Sequence, residues 1–295
     1  MLATLEKQKR HVNQVDICFR TVGQGPALLM LHGHPQNHMM WHRVVPELSK
    51  RFTLVIADLR GYGDSDKPRS PEGQSAYSKR IMAQDMYELM AQLGHPTFSI
   101  LAHDRGARVA HRLALDYADA VQSMTLLDIA PTLAMYRQTN EAFARAYWHW
   151  FMLIRPTPFP EILIEHDPAL YLRSVMGARS AGMAPFTKEA LAEYQRCLSL
   201  PNAAYGICED YRASAGIDLE HDEQDIRLGN RVSCPLMVLW GKNGAIEQCF
   251  DPIGEWKKVA THLQGEALPC GHYIAEEAPE LLLGKVVPFF SSACV

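Results

Sequence analysis

The sequence predicts an α/β fold: a mostly parallel sheet flanked by helices, with a helical cap inserted into it. Three observations lead there. Short apolar runs alternate with helical patterns. The alternation stops in the middle of the chain and later resumes. One apolar run enters a tight turn that opens directly into a helix.

The apolar runs fall at residues 27–31, 53–59, 98–102, 124–129 and 236–240. Each is continuous enough in apolar residues to be a strand covered on both faces. Helical patterns lie between them, at about 35–50, 79–93, 105–116 and 279–290. Strands alternating with helices mean βαβ units and parallel pairing. From about 132 to 228 only helical patterns and turns occur. One of those helices carries Tyr147, Trp148, His149, Trp150 and Phe151, and Pro156, Pro158 and Pro160 end it. Residues 1–131 and 229–295 are therefore expected to form the core, and 132–228 the cap.

A chain of 295 residues, 47% hydrophobic and 21% charged, can bury a large core. Its net charge of −4 offers no basic surface for nucleic acid or an anionic membrane. Glu6, Lys7, Lys9 and Arg10 stand where a signal peptide needs an apolar stretch. No apolar run approaches the ~20 residues that span a bilayer. The seven cysteines (Cys18, Cys197, Cys208, Cys234, Cys249, Cys270 and Cys294) are scattered and make no C-x-x-C pair. They signal neither a disulfide framework nor a zinc site. The expectation is a cytoplasmic protein with no metal or cofactor.

The tight turn is Ala102-His103-Asp104-Arg105-Gly106. A strand, a sharp turn and a helix are the context of the G-x-S-x-G nucleophile elbow of α/β-hydrolases, here with aspartate in place of serine. A carboxylate there can displace a leaving group at saturated carbon and form an alkyl ester, which water then hydrolyses. The helix N-terminus favours its anion. By itself the residue also reads as an ordinary helix cap. Asp128 ends the next apolar run and can orient a histidine. His272, in Cys270-Gly271-His272-Tyr273, is the candidate base that activates the water. The order Asp104, Asp128, His272 is the nucleophile–acid–base order of that fold. The loop His32-Gly33-His34-Pro35 follows the first apolar run. It is expected to supply one oxyanion-hole amide from His34, the other coming from Arg105. The alternative is a plain Gly-Pro turn.

With these residues in place the chain resembles the fluoroacetate (haloacetate) dehalogenases of the α/β-hydrolase superfamily. The resemblance spans nearly the whole length. It is carried by His32-Gly33-His34-Pro35-Gln36, by Asp58-Leu59-Arg60-Gly61-Tyr62-Gly63-Asp64-Ser65 and by His103-Asp104-Arg105-Gly106-Ala107-Arg108. Tyr147-Trp148-His149-Trp150, Cys208-Glu209-Asp210-Tyr211-Arg212 and Cys270-Gly271-His272 complete it. It implies that Arg105 and Arg108 hold the substrate carboxylate. Their spacing of three on one helix lets both face one point, and a guanidinium fork suits a carboxylate. It also implies a halide pocket of His149, Trp150 and Tyr211, whose imidazole, indole N–H and phenol supply donors for a strongly hydrated fluoride. Trp148 is expected to be cap packing. One departure stands out. The family position of His34 usually holds phenylalanine, so a polar ring is expected near the carboxylate end of the pocket. The resemblance further implies a small haloacid substrate and a homodimer.

The nearest rival is an epoxide hydrolase with the same Asp104, Asp128 and His272, in which Tyr211 with Tyr147 or Tyr205 protonates the epoxide oxygen. Two arginines at the carboxylate site argue against that neutral substrate. A serine esterase is disfavoured, because no G-x-S-x-G follows a strand. A non-catalytic receptor on the same scaffold would not need three competent residues at the three positions.

Overall fold

The computed structural model describes residues 1–69 and 73–293. Eight strands form one sheet: β1 (Gln8–Val12), β2 (Val15–Val22), β3 (Ala27–Leu31), β4 (Thr53–Ala57), β5 (Phe98–His103), β6 (Val121–Leu127), β7 (Leu236–Gly241) and β8 (Leu263–Leu268). Their order across the sheet is β1-β2-β4-β3-β5-β6-β7-β8. The pairs β1–β2 and β2–β4 are antiparallel and all others parallel. The five anticipated runs form β3 to β7, and every residue of β3, β5 and β7 is buried. Helices on both faces make such strands continuously apolar.

The strands not anticipated are the outer ones. In β1, Lys9, Arg10 and His11 are exposed, and in β8 so are Gln264, Gly265 and Glu266. Polar residues blunt a sheet edge and at the same time erase the apolar signature of a strand. Residues 35–50 do not make one helix. They form a 3-10 turn, His38–Trp41, and a short helix, Val45–Leu48. Side-chain bonds have replaced helical ones: Asn37 accepts from the Met39 amide and Asp58 from the His38 amide.

Strand order reverses at β3, which lies between β4 and β5. The loops leaving β3 and β5 diverge, and a crevice opens at their C-terminal ends, where ligands bind in open α/β sheets. Helices alone, from Thr132–Arg137 to Ile217–Leu228, connect β6 to β7 among the described residues. They are pinned to the core by buried polar bonds. Asp210, on the helix Ala203–Ser214, pairs with Lys79 and Arg105 and accepts from the Tyr62 hydroxyl at 2.6 Å. Tyr194 donates to Glu276 at 3.0 Å, and Gln36 also bonds Glu276. The six described cysteines are free, and Cys294 lies outside the described residues. Among the described residues, no helix is long and apolar enough to cross a membrane.

Candidate active site

Asp104 follows β5 with φ +45°, a left-handed conformation that a residue with a Cβ rarely adopts. The turn is tight on both sides. A Cβ on Gly33 would come within 2.5 Å of the Asp104 Cβ, and one on Gly106 within 2.4 Å of the His32 carbonyl oxygen. Small residues are thus required around a strained aspartate, which lifts the carboxylate off the sheet end. The amide of His34 donates to Asp104 Oδ1 at 2.9 Å. Arg105 lies in the first turn of the helix Asp104–Asp116, where amides have no partner within the helix. Burial opposes ionisation of Asp104. The fields of His272, His103, Arg105 and Arg108 outweigh it and hold the carboxyl well below its ordinary range.

Asp128 follows β6 and is also left-handed, with φ +51°. Its Oδ1 accepts from the Gly241 amide at 2.9 Å, and its Oδ2 lies 2.5 Å from His272 Nδ1. The bond to Asp128 leaves the opposite edge of the His272 ring, Nε2, available. The His103 ring packs against His272 with centroids 4.6 Å apart, and its Nε2 bonds the His272 carbonyl at 3.0 Å. Strand ends spread over 168 positions of the chain, from Asp104 to His272, thus bring Asp104, Asp128 and His272 to one place.

The cap closes over this group. Trp150 and Tyr211 are fully buried and His149 nearly so. Centroids of Trp150 and Tyr211 are 6.1 Å apart, as are those of His149 and Tyr211. Arg105 lies 4.1 Å over the Tyr211 ring, and Arg108 4.8 Å over that of Trp150. Trp148 is partly buried against the core.

The two arginines differ. The Nε and Nη2 of Arg105 grip the Asp210 carboxylate at 2.8 and 2.9 Å, and Nη2 also reaches Ser214 at 2.5 Å. Burial disfavours its charge, but Asp210 more than compensates and raises it well above the ordinary arginine value. The two-pronged fork expected for a substrate is therefore already engaged, and only Nη1 is without a partner. Arg108 donates to neutral atoms, Thr132 Oγ1 at 2.8 Å, the Ala130 carbonyl at 3.4 Å and Met135 Sδ at 3.1 Å, and leaves Nε free. Among the described residues it forms no ion pair. Burial, then the charge of Arg105, lower its pKa.

The imidazole of His34 lies among cap rings and feels the charge of Arg105. It stacks on His149 at 5.9 Å and meets Tyr211 edge-on at 5.3 Å. Its Nε2 is 3.0 Å from the Tyr171 hydroxyl. Burial of the ring pushes its pKa down to about 3.

Three participants had no distinct sequence signal. Asp210 sits beside Tyr211 in a quoted segment, yet only the fold reveals that it holds Arg105. Tyr171 reads as one more cap aromatic. Arg179, in the loop between the cap helices Pro168–Met176 and Lys188–Leu198, lies 4.3 Å over the Tyr147 ring. It is half-buried, and its charge acts on Asp104, His34 and His149.

Comparison with known proteins shows the family and the fold. Residues 26–279 match the family described as alpha/beta hydrolase fold. The chain is 42% identical to a fluoroacetate dehalogenase from Burkholderia sp. over 97% of its length and 94% of the relative's. It is 31% identical to a soluble epoxide hydrolase from Corynebacterium sp. (strain C12), covering 95% of each. A solved structure of a proposed α/β hydrolase from Nostoc sp. PCC 7120 superposes with a TM-score of 0.95 at 47% identity, over 98% of this chain and 99% of that one.

Proposed function

The chain belongs to the α/β-hydrolase family, as a hydrolytic enzyme related to both fluoroacetate dehalogenases and epoxide hydrolases, and on that premise we propose that it dehalogenates small 2-haloacids. Asp104 attacks the α-carbon, the carbon–halogen bond breaks, and the halide leaves with its electron pair. The product stays bound as an ester of Asp104. His272, oriented by Asp128, takes a proton from a water molecule, which attacks Cγ of Asp104. The resulting oxyanion is an oxygen of Asp104 itself, the atom to which the His34 amide already points. Collapse releases the 2-hydroxy acid and restores the carboxylate.

The observation that carries this reading is Arg108, a buried guanidinium beside Asp104 whose direct bonds are to neutral oxygen and sulfur atoms. Once Asp104 is esterified it no longer carries charge. A neutral epoxide would then leave Arg108 uncompensated, at a cost of several kcal/mol for a buried charge. A substrate carboxylate keeps it paired throughout. The buried, unpartnered donors Trp150 Nε1 and Tyr211 Oη suit the departing halide.

That Tyr211 hydroxyl is also the specific observation favouring the second reading, an epoxide hydrolase, in which it would protonate the epoxide oxygen. Halide release from fluoroacetate and chloroacetate, measured beside hydrolysis of styrene oxide, separates the two. Diol formation without halide release from either acid would overturn the dehalogenase reading.

A further inference from the structure

The His34 amide has a role in the site; its imidazole has none so far. The ring is 2% exposed, and its Nδ1 has no hydrogen-bond partner. Its ring neighbours are His149, Tyr211, Tyr62 and Tyr171. Its one side-chain hydrogen bond joins Nε2 to Tyr171 Oη at 3.0 Å.

We infer that His34 is a fourth donor in the halide pocket, with its proton placed on Nδ1 by Tyr171. The inference rests on the dehalogenase reading and deepens it. Two proton arrangements fit the 3.0 Å bond. If Nε2–H donated to the phenol oxygen, the Tyr171 proton would have no acceptor among the described residues. Nδ1 would then be a bare lone pair beside other donors. Two buried groups would be unsatisfied. If Tyr171 donates to Nε2, its proton is satisfied, and the neutral imidazole must carry its own proton on Nδ1. One orphan remains, an N–H between His149 and Tyr211. With Trp150 Nε1–H and the Tyr211 hydroxyl it makes a set of donors lacking an acceptor. A halide ion is an acceptor only, so it complements that set. A neutral N–H also leaves the charge balance between Arg108 and the substrate carboxylate unchanged. Phenylalanine at this position would supply the ring without the donor.

The test combines histidine nitrogen NMR with kinetics. In ¹⁵N-histidine-labelled protein, His34→Phe identifies the His34 signals. The expected result is a protonated Nδ1 and unprotonated Nε2, with the Nδ1–H signal shifting in a bromide titration. Tyr171→Phe should mix the tautomers. It should also slow single-turnover ester formation from fluoroacetate ~10-fold, with a smaller effect for chloroacetate. A wild-type proton on Nε2, or an Nδ1–H signal indifferent to bromide, overturns the inference. So does equal slowing with both acids. If the wild-type protein turns over neither acid, the dehalogenase reading fails, while tautomer and bromide response still decide whether His34 is a halide donor.

Discussion

Asp104 and Tyr211 face each other across the site, but different forces hold them. Asp104 is set by its backbone: a left-handed turn between β5 and a helix, with Gly33 and Gly106 too close to accept a side chain. Asp128 is set in the same way. Tyr211 lies within a regular helix and is aimed by packing against Arg105, Trp150, His149 and His34. In the proposed reaction the core side thus supplies fixed atoms for bond making. The cap side supplies donors whose positions depend on one another. Substitutions on the core side should abolish a step, whereas those on the cap side should change which substrate passes through it.

The largest effect is expected from His272→Ala. Attack by Asp104 survives and water activation is lost, so turnover should fall by ~10³-fold or more. Intact-protein mass spectrometry after adding fluoroacetate should show one carboxymethyl group on the protein. Release of halide with an unmodified mass would break the two-step scheme.

Trp150→Phe keeps an apolar ring and removes the indole N–H. Loss of one preorganised donor should slow fluoroacetate turnover ~10²–10³-fold, and chloroacetate clearly less, because fluoride carries the more concentrated charge. Single-turnover rates for the two acids decide it. Equal losses would reduce Trp150 to cap packing.

The two arginines should separate by type of damage. Arg108→Lys keeps the charge but not the planar fork, and kcat/KM for chloroacetate should fall by ~10-fold. Arg105→Gln takes one of two cationic partners from Asp210, Lys79 remaining, so it should also lower stability by ~1.5–3 kcal/mol. Denaturant unfolding of Arg105→Gln beside Arg108→Gln checks this. Equal losses would mean that the Asp210 pair is not what distinguishes them.

The smallest effect belongs to Arg179→Gln. The half-buried guanidinium pairs with no carboxylate among the described residues and can steer an anion toward Asp104. Loss of that charge should reduce kcat/KM for chloroacetate ~3- to 10-fold at low salt, with the deficit closing as salt is raised. A deficit independent of salt would point to packing against Tyr147 instead.

The chain alone determined the central strands and the strand, turn and helix around Asp104. Each of these follows from local rules. A fully buried strand must be continuously apolar, and a turn as tight as that at Asp104 demands small neighbours. The edge strands β1 and β8 escaped, because edge positions admit charge and glycine and so lose the pattern, while in β2, paired on both sides, Asp16 and Arg20 interrupt the apolar run. Only the tertiary structure decided that Asp210 occupies the fork of Arg105, that the His34 ring turns toward His149, and that Arg179 stands near Asp104. These pairings join residues 105, 115 and 75 positions apart in the chain, through side chains that many sequences could place elsewhere. No local propensity encodes which buried cation meets which buried anion. That choice arises when the cap folds onto the sheet and each desolvated charge must find a partner.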